Sequence, residues 1–199
     1  MKRKTIAIDF DDTICDTNRA FLFFNKVKHN NSVPYSKIKE KDCLYKILKL
    51  SSKKEDIIWD EFFTEPNFCF PQPKKEILGV LKYLKEDHKL VIFSAREKRW
   101  QTQINKWVNL YAPNIFDEII FLKNLKNACS TKGPICKKRD FDLLIDDCPE
   151  EIASCLKSNV KVIVFDQPWN KKISKKVPRI KSFKQLKNLV NKRENPAIF

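Results

Sequence analysis

Glycine is almost missing. The 199-residue chain has two, Gly79 and Gly133. A phosphate-cradling P-loop and a dinucleotide-binding fingerprint each need several glycines at fixed spacing, so both are excluded. Histidine is equally scarce, with His29 and His88 alone, and none of the seven cysteines forms a Cys-x-x-Cys pair. That is the composition of neither a zinc centre nor a disulfide scaffold, and the cysteines are expected to be reduced and mostly buried. No cysteine is followed six residues later by arginine, which removes a cysteine-dependent phosphatase loop. A Gly-x-Ser-x-Gly nucleophile elbow is absent as well. No apolar stretch reaches the roughly 18 residues of a membrane span. No leader-like segment is recognisable. The chain therefore reads as soluble and cytoplasmic, with no membrane partner.

What is present is positive charge and a packed core. Hydrophobic residues make up 42% of the chain, enough for one domain or one domain with a small insert. The formal net charge is +15, from 40 basic and 25 acidic residues. Ten basic residues and one acid fall between Gln167 and Phe199. Such a field would attract a polyanion, so weak nucleic-acid binding through this segment is one reading. Lysines decorating the solvated face of an ordinary amphipathic helix are the other, and the interleaving of the charges favours it.

Five apolar stretches are predicted as strands: Thr5–Asp9, Leu90–Phe93, Glu118–Leu122, Phe141–Ile145 and Lys161–Phe165. Helical spacing separates the later ones. Ile77, Leu78, Leu81 and Leu84 mark one helix, and Ile104, Val108 and Tyr111 another. Ile152 and Leu156 line a third, which Pro149 opens. Phe183, Leu186 and Val190 line the last, with Ser182 and Gln185 placed for a capping box. Alternation of strand and helix predicts an α/β fold of the Rossmann type, three layers deep, around a parallel sheet of about five strands. Residues 17–72 break the rhythm. They are rich in lysine and aromatics (Phe21, Phe23, Phe24, Tyr35, Tyr45, Trp59, Phe62, Phe63, Phe68, Phe70) and close with Pro66, Pro71 and Pro73. This segment is expected to be a mostly helical cap inserted after the first strand. The core would then comprise residues 1–16 and 73–199. Most of the aromatics would fill the cap's own interior.

Four short segments carry the chemistry. Ile6-Ala7-Ile8 runs into Asp9-Phe10-Asp11-Asp12-Thr13. Val91-Ile92-Phe93 ends in Ser94. Lys132 precedes a short helix. Leu143-Leu144-Ile145 ends in Asp146-Asp147. Each alone is weak evidence, because an acid after a strand can simply cap the next helix. All four in order, each at the carboxyl end of a predicted strand, form a strong signal, since ligands bind at that end of an open α/β sheet.

This combination resembles the haloacid dehalogenase superfamily in its phosphatase form. The likeness covers residues 5–16, 90–96 and 130–149. The stretches Leu143-Leu144-Ile145-Asp146-Asp147-Cys148-Pro149 and Phe165-Asp166-Gln167-Pro168-Trp169-Asn170 look like the 5'(3')-deoxyribonucleotidase branch. Asp12 departs from the glycine common at its position. The resemblance implies Asp9 as nucleophile, forming an aspartyl-phosphate, and Asp11 as general acid and base. It implies Mg²⁺ held by Asp9, the Asp11 backbone carbonyl and Asp146, with Asp147 one step out. Ser94 and the Ala95 N–H would hold phosphate oxygens. Lys132, with Lys137 and Lys138 as nearby rivals, would offset the developing charge. Arg96 could reach the phosphate or a cap acid, or form a plain surface ion pair. The implied substrate is a small phosphorylated metabolite, best a nucleoside or deoxynucleoside monophosphate stacked on Trp59, Phe62 or Phe63. A phosphatase of nucleic-acid ends and a non-catalytic nucleic-acid-binding protein on the same fold are the alternatives.

Overall fold

A computed structural model describes residues 3–40, 44–65, 71–125 and 131–190; Pro66, Phe68 and Phe70 of the expected cap lie outside them. The strands are β1 (Lys4–Ile8), β2 (His88–Ser94), β3 (Glu118–Phe121), β4 (Leu143–Asp146), β5 (Lys161–Phe165) and β6 (Arg179–Ile180). All pairs are parallel, and the order across the sheet is β3-β2-β1-β4-β5-β6. The sheet thus has six strands where about five were expected. β6 is only two residues long and carries no apolar run; it is fixed instead by Arg179, which donates to Asp166 and Asn170 beyond the end of β5.

The helices are α1 (Thr17–His29), α2 (Leu44–Ile47), α3 (Ser52–Thr64), α4 (Ile77–Asp87), α5 (Gln101–Tyr111), α6 (Lys132–Lys138), α7 (Pro149–Lys157) and α8 (Phe183–Val190). Local chemistry sets several ends. The Ser51 hydroxyl accepts the Lys54 N–H at the start of α3. Pro149 opens α7, whose first turn carries Glu150 and Glu151. Gln185 accepts from the Lys181 N–H, not from Ser182 as a capping box would require. No helix among the described residues is long and apolar enough to cross a membrane.

Period-two alternation sorts the strand side chains into two cores. Ile6, Ile8, Leu90, Ile92, Leu143, Ile145, Ile163 and Phe165 face one layer, with buried residues of α4, α5 and α8. Ala7, Val91, Phe93, Leu144, Val162 and Val164 face the other, with residues of α6 and α7. Strands apolar on both faces suit a parallel sheet covered on both sides. On α7 it is Ile152 and Cys155 that are buried; Leu156, expected on the inner face, is exposed. A third cluster joins Phe21, Phe24, Ile38, Leu44, Ile58, Phe62 and Phe63 of the 17–72 segment to Trp169 from far along the chain, with Trp100 packed against it. Phe183 and Leu186 bury α8 against the sheet, while Lys181, Lys184 and Lys187 remain exposed. Of the basic residues described between Gln167 and Val190, Lys184 and Lys187 lie on this helix; the others precede it.

Parallel order places β1 and β4 side by side, with β1 also flanked by β2. The sense of the connections reverses about β1, and a crevice forms beyond the carboxyl ends there. The Asp9 N–H continues the ladder by donating to the Ile145 carbonyl at 2.9 Å. The helices α6 and α7 pack closely, and Gly133 is the reason they can. A Cβ at Gly133 would stand 2.3 Å from the Ser154 carbonyl oxygen, backbone that cannot move aside. Gly133→Ala should therefore cost about 1–3 kcal/mol of stability through overpacking. It should also displace the neighbouring Lys132. Denaturant unfolding checks the first effect; a variant as stable as the parent would refute this account of the α6–α7 contact.

Candidate functional site

The site grows from the two central strand ends. Asp9 follows β1, and Asp146 is the last residue of β4, with Asp147 next. Lys132 begins α6, and its backbone N–H donates to the Glu151 carboxylate at 2.6 Å. That bond aims the lysine inward. Its Nζ lies 2.5 Å from Asp9 Oδ1 and 2.8 Å from Asp146 Oδ2. All are buried: Lys132 is 1% exposed, Asp9 6%, Asp146 and Asp147 0%. Lys137 and Lys138, the rival lysines, lie on the exposed face.

Burial opposes charge on the Lys132 ammonium. The attraction of Asp146, Asp9 and Glu151 outweighs it and holds the group well above the ordinary lysine range. Burial pushes the Asp146 carboxyl up; Lys132 draws it down, and the neighbouring charge of Asp147 pushes it up again. The net direction is upward. One ammonium cannot neutralise this many carboxylates, which is the electrostatic signature of a place for a further cation.

Carboxylate oxygens of Asp9, Asp146 and Asp147 lie within 4.8 Å of one another. Hard oxygen donors so grouped fit Mg²⁺. Asp146 Oδ1 is oriented by the Cys148 N–H at 2.8 Å. Asp147 is held from two sides, by the Thr13 hydroxyl at 3.0 Å on Oδ1 and the Trp169 indole N–H at 2.8 Å on Oδ2. Expected one step out, Asp147 stands within the oxygen group itself.

Asp11 stands apart. Its carboxylate accepts from Arg96 Nε at 3.1 Å and from Arg96 Nη2, and takes the Thr17 hydroxyl at 2.6 Å. Arg96 thus pairs with an acid of the loop after β1 and not with one of the 17–72 segment. Its guanidinium lies 4.4 Å from the Phe63 ring centroid and 5.2 Å from that of Phe10. Ser94 ends β2, buried, and its hydroxyl accepts the Arg96 N–H at 3.1 Å. Asp12 explains its own departure from glycine. It adopts φ 59°, a left-handed conformation that Asp tolerates better than most side chains, and its carboxylate accepts the Asn18 N–H at the start of α1.

Above these residues opens a cavity of about 670 Å³. Asp9, Asp11, Lys132 and Ala95 line it from the sheet side, and Trp59 and Phe63 from α3, joined by Trp100. Phe62, the third candidate aromatic, is buried inside the apolar cluster. Sequence reading did not single out Trp100, nor the support given by Glu151, Thr13 and Trp169. Thr13 within the β1 motif and the Pro-Trp-Asn run after β5 were the visible signals.

No family model matches the chain. A protein of Oceanobacillus iheyensis described as "Putative nucleotidase" is 23% identical over 166 residues, 82% of this chain and 87% of that one. Solved structures align over nearly the full length at low identity. A "predicted phosphoglycolate phosphatase" from Haemophilus somnus gives a TM-score of 0.67 at 14% identity, covering 96% of this chain and 99% of its own. The "putative HAD-hydrolase YfnB" of Bacillus subtilis, bound to magnesium, gives 0.63 at 15%, covering 96% and 100%. A 2-haloacid dehalogenase from Pseudomonas syringae gives 0.56 at 16%, again covering 96% and 100%. The chain has the α/β fold of the haloacid dehalogenase-like hydrolases.

The oxygen group predicts cation-dependent stability. At a hundredfold excess over its dissociation constant, a bound ion adds about 2.7 kcal/mol. Mg²⁺ should raise the melting temperature by several degrees, and EDTA should reverse the gain. Asp146→Asn should remove most of it. An unchanged increment in that variant, read by differential scanning fluorimetry, would contradict the assignment of Asp146 to the cation.

Proposed function

We propose that the chain is a Mg²⁺-dependent phosphomonoesterase acting on nucleoside or deoxynucleoside monophosphates through a phosphorylated Asp9. The observation that carries this reading is the Lys132 ammonium set between Asp9 and Asp146 at the floor of an aromatic-walled cavity. A buried carboxylate beside a fixed cation is a nucleophile for phosphorus. The nearby oxygen group is built for the hard ion that an anionic substrate needs. Cleavage of a carbon–halogen bond, the reaction named for one structural neighbour, has no comparable need of such an ion.

Asp9, Asp146 and Asp147 would hold Mg²⁺, with the Asp11 carbonyl as a further donor. When bound, the ion offsets the negative charge of the phosphoryl oxygens. Asp9 attacks phosphorus as the ester P–O bond breaks, and the nucleoside oxygen takes a proton from Asp11. Water then attacks the aspartyl-phosphate, giving its proton to Asp11 and releasing phosphate. Lys132 stabilises charge on Asp9 throughout. The Ser94 hydroxyl and Ala95 N–H would bind phosphate oxygens. Asp11 here spends its carboxylate on Arg96 and Thr17, so proton transfer requires the carboxyl to leave that pairing.

Residues 17–72 serve in this reading as a lid over a core of 1–16 and 73–199. Their helices bring Trp59 and Phe63 to the cavity wall, where a base can stack and water can be excluded. The name of the Oceanobacillus iheyensis relative supports a nucleotide. A cavity walled by the 17–72 segment favours a small substrate over a nucleic-acid end or a non-catalytic nucleic-acid-binding role.

The test is turnover of a panel of nucleoside monophosphates and sugar phosphates, with Mg²⁺ and with EDTA. Asp9→Asn should lower the rate roughly a thousandfold or more while the protein stays folded, since it removes the nucleophile and almost no volume. Retention of most activity by that folded variant would sink the mechanism. Turnover of sugar phosphates alone would sink the nucleotide assignment.

A further inference from the structure

The segment that follows β5, Asp166-Gln167-Pro168-Trp169-Asn170, does more than close a turn. Asn170 is fully buried; its amide donates to the Asp147 carbonyl at 2.9 Å and the Phe165 carbonyl at 2.8 Å, and its Oδ1 accepts from the Gln167 N–H and from Arg179. Gln167 is buried too. Its Nε2 donates to the Asp12 carbonyl at 2.6 Å, and its Oε1 accepts the Tyr35 hydroxyl at 2.8 Å. One short turn thus touches the β1 loop, the β4 loop and the 17–72 segment.

Trp169 has two environments. Its ring belongs to the apolar cluster whose other buried members lie between residues 21 and 63, and the Tyr35 ring stands edge-on at 6.0 Å. Its indole N–H, at the other end, donates to Asp147 Oδ2 at 2.8 Å. An indole has one donor and no acceptor, so it can only fix an anion or carbonyl oxygen. Asp147 is 0% exposed and accepts on Oδ1 from Thr13. Donors that hold its orientation include one from the β1 loop and one from a ring packed in the cluster of the 17–72 segment.

We infer that Trp169 is a positioning residue that orients the Asp147 carboxylate for the cation and ties the packing of the 17–72 segment to occupancy of that site. The inference rests on the cation reading of the site, though not on the substrate. Partners that orient the ligands of a metal are worth about 10–100-fold in affinity when removed. The linkage is reciprocal: an ion that needs Asp147 in this orientation also favours the packing that holds the indole there.

Trp169→Phe keeps an aromatic ring in the cluster and deletes the donor. Tyr35→Phe is the control, because it cuts the segment's hydrogen bond to Gln167 and leaves both donors to Asp147. Mg²⁺ binding is measured by calorimetry on metal-free protein, with melting temperature and amide exchange of residues 17–29 and 52–64 recorded alongside. The expected result is a dissociation constant raised tenfold or more in Trp169→Phe and unchanged in Tyr35→Phe. In the parent, Mg²⁺ should slow exchange in both helices, and in Trp169→Phe that slowing should vanish. A purely structural tryptophan would lower the melting temperature and leave the dissociation constant alone, and that outcome overturns the inference. Parent-like slowing of exchange in Trp169→Phe overturns the linkage. A parent protein that binds no Mg²⁺ overturns the cation reading and this inference together, whereas Mg²⁺ binding without nucleotide turnover would count against the substrate alone.

Discussion

One buried ammonium sets the terms for the rest of the molecule. Asp9 and Asp146 end adjacent strands with their carboxylates turned toward a common point, and burial leaves little water to screen them. Without Lys132 between them the two charges could not both persist. That requirement fixes where α6 begins. It accounts for Glu151, which receives the Lys132 backbone N–H, and for Gly133, which lets α6 lie against α7 closely enough for the lysine to arrive. A catalytic group and a packing contact are here consecutive residues.

Much of this architecture could be read from the chain because its strongest signals are local. Strands apolar on both faces announce a doubly covered sheet, and acids directly after β1 and β4 must meet if those strands are neighbours. Five of the six strands follow from their apolar runs. β6 was invisible because Arg179-Ile180 has no pattern of its own; an ion pair with Asp166, itself held below the usual carboxylate range with Lys171 and Arg179 as partners, places it. The pairing of Arg96 with Asp11 also escaped sequence reading, since nothing in a Ser-Ala-Arg triplet says which of many acids the arginine will face. Leu156 shows the opposite failure. Its helical spacing suited the core, but the neighbouring Cys155 takes the inner face of α7.

Asp12 and Trp169 show how residues outside the reacting group come to depend on it. Asp12 occupies a backbone conformation usually left to glycine, and its side chain and carbonyl then serve α1 and Gln167. Trp169 lies 22 residues beyond Asp147 yet supplies a hydrogen bond that orients it. Both tie the sheet's reactive end to the helices above it, so the roof and the floor of the cavity share hydrogen-bonded supports.

The place of β1 in the sheet has a consequence for how the protein is made. Its neighbours arrive late: Lys4 pairs with His88 and Ile6 with Leu143. On the ribosome, Ile6, Ala7 and Ile8 must emerge long before either partner exists: Leu90 follows Ile6 by 84 residues and Leu143 by 137. Until β4 is available, the nascent chain carries an apolar ribbon with open backbone donors and acceptors on at least one side. Assembly of the central sheet is thus a late event, governed by long-range closure, and chaperone demand should fall most heavily on the period before Leu143 clears the exit tunnel.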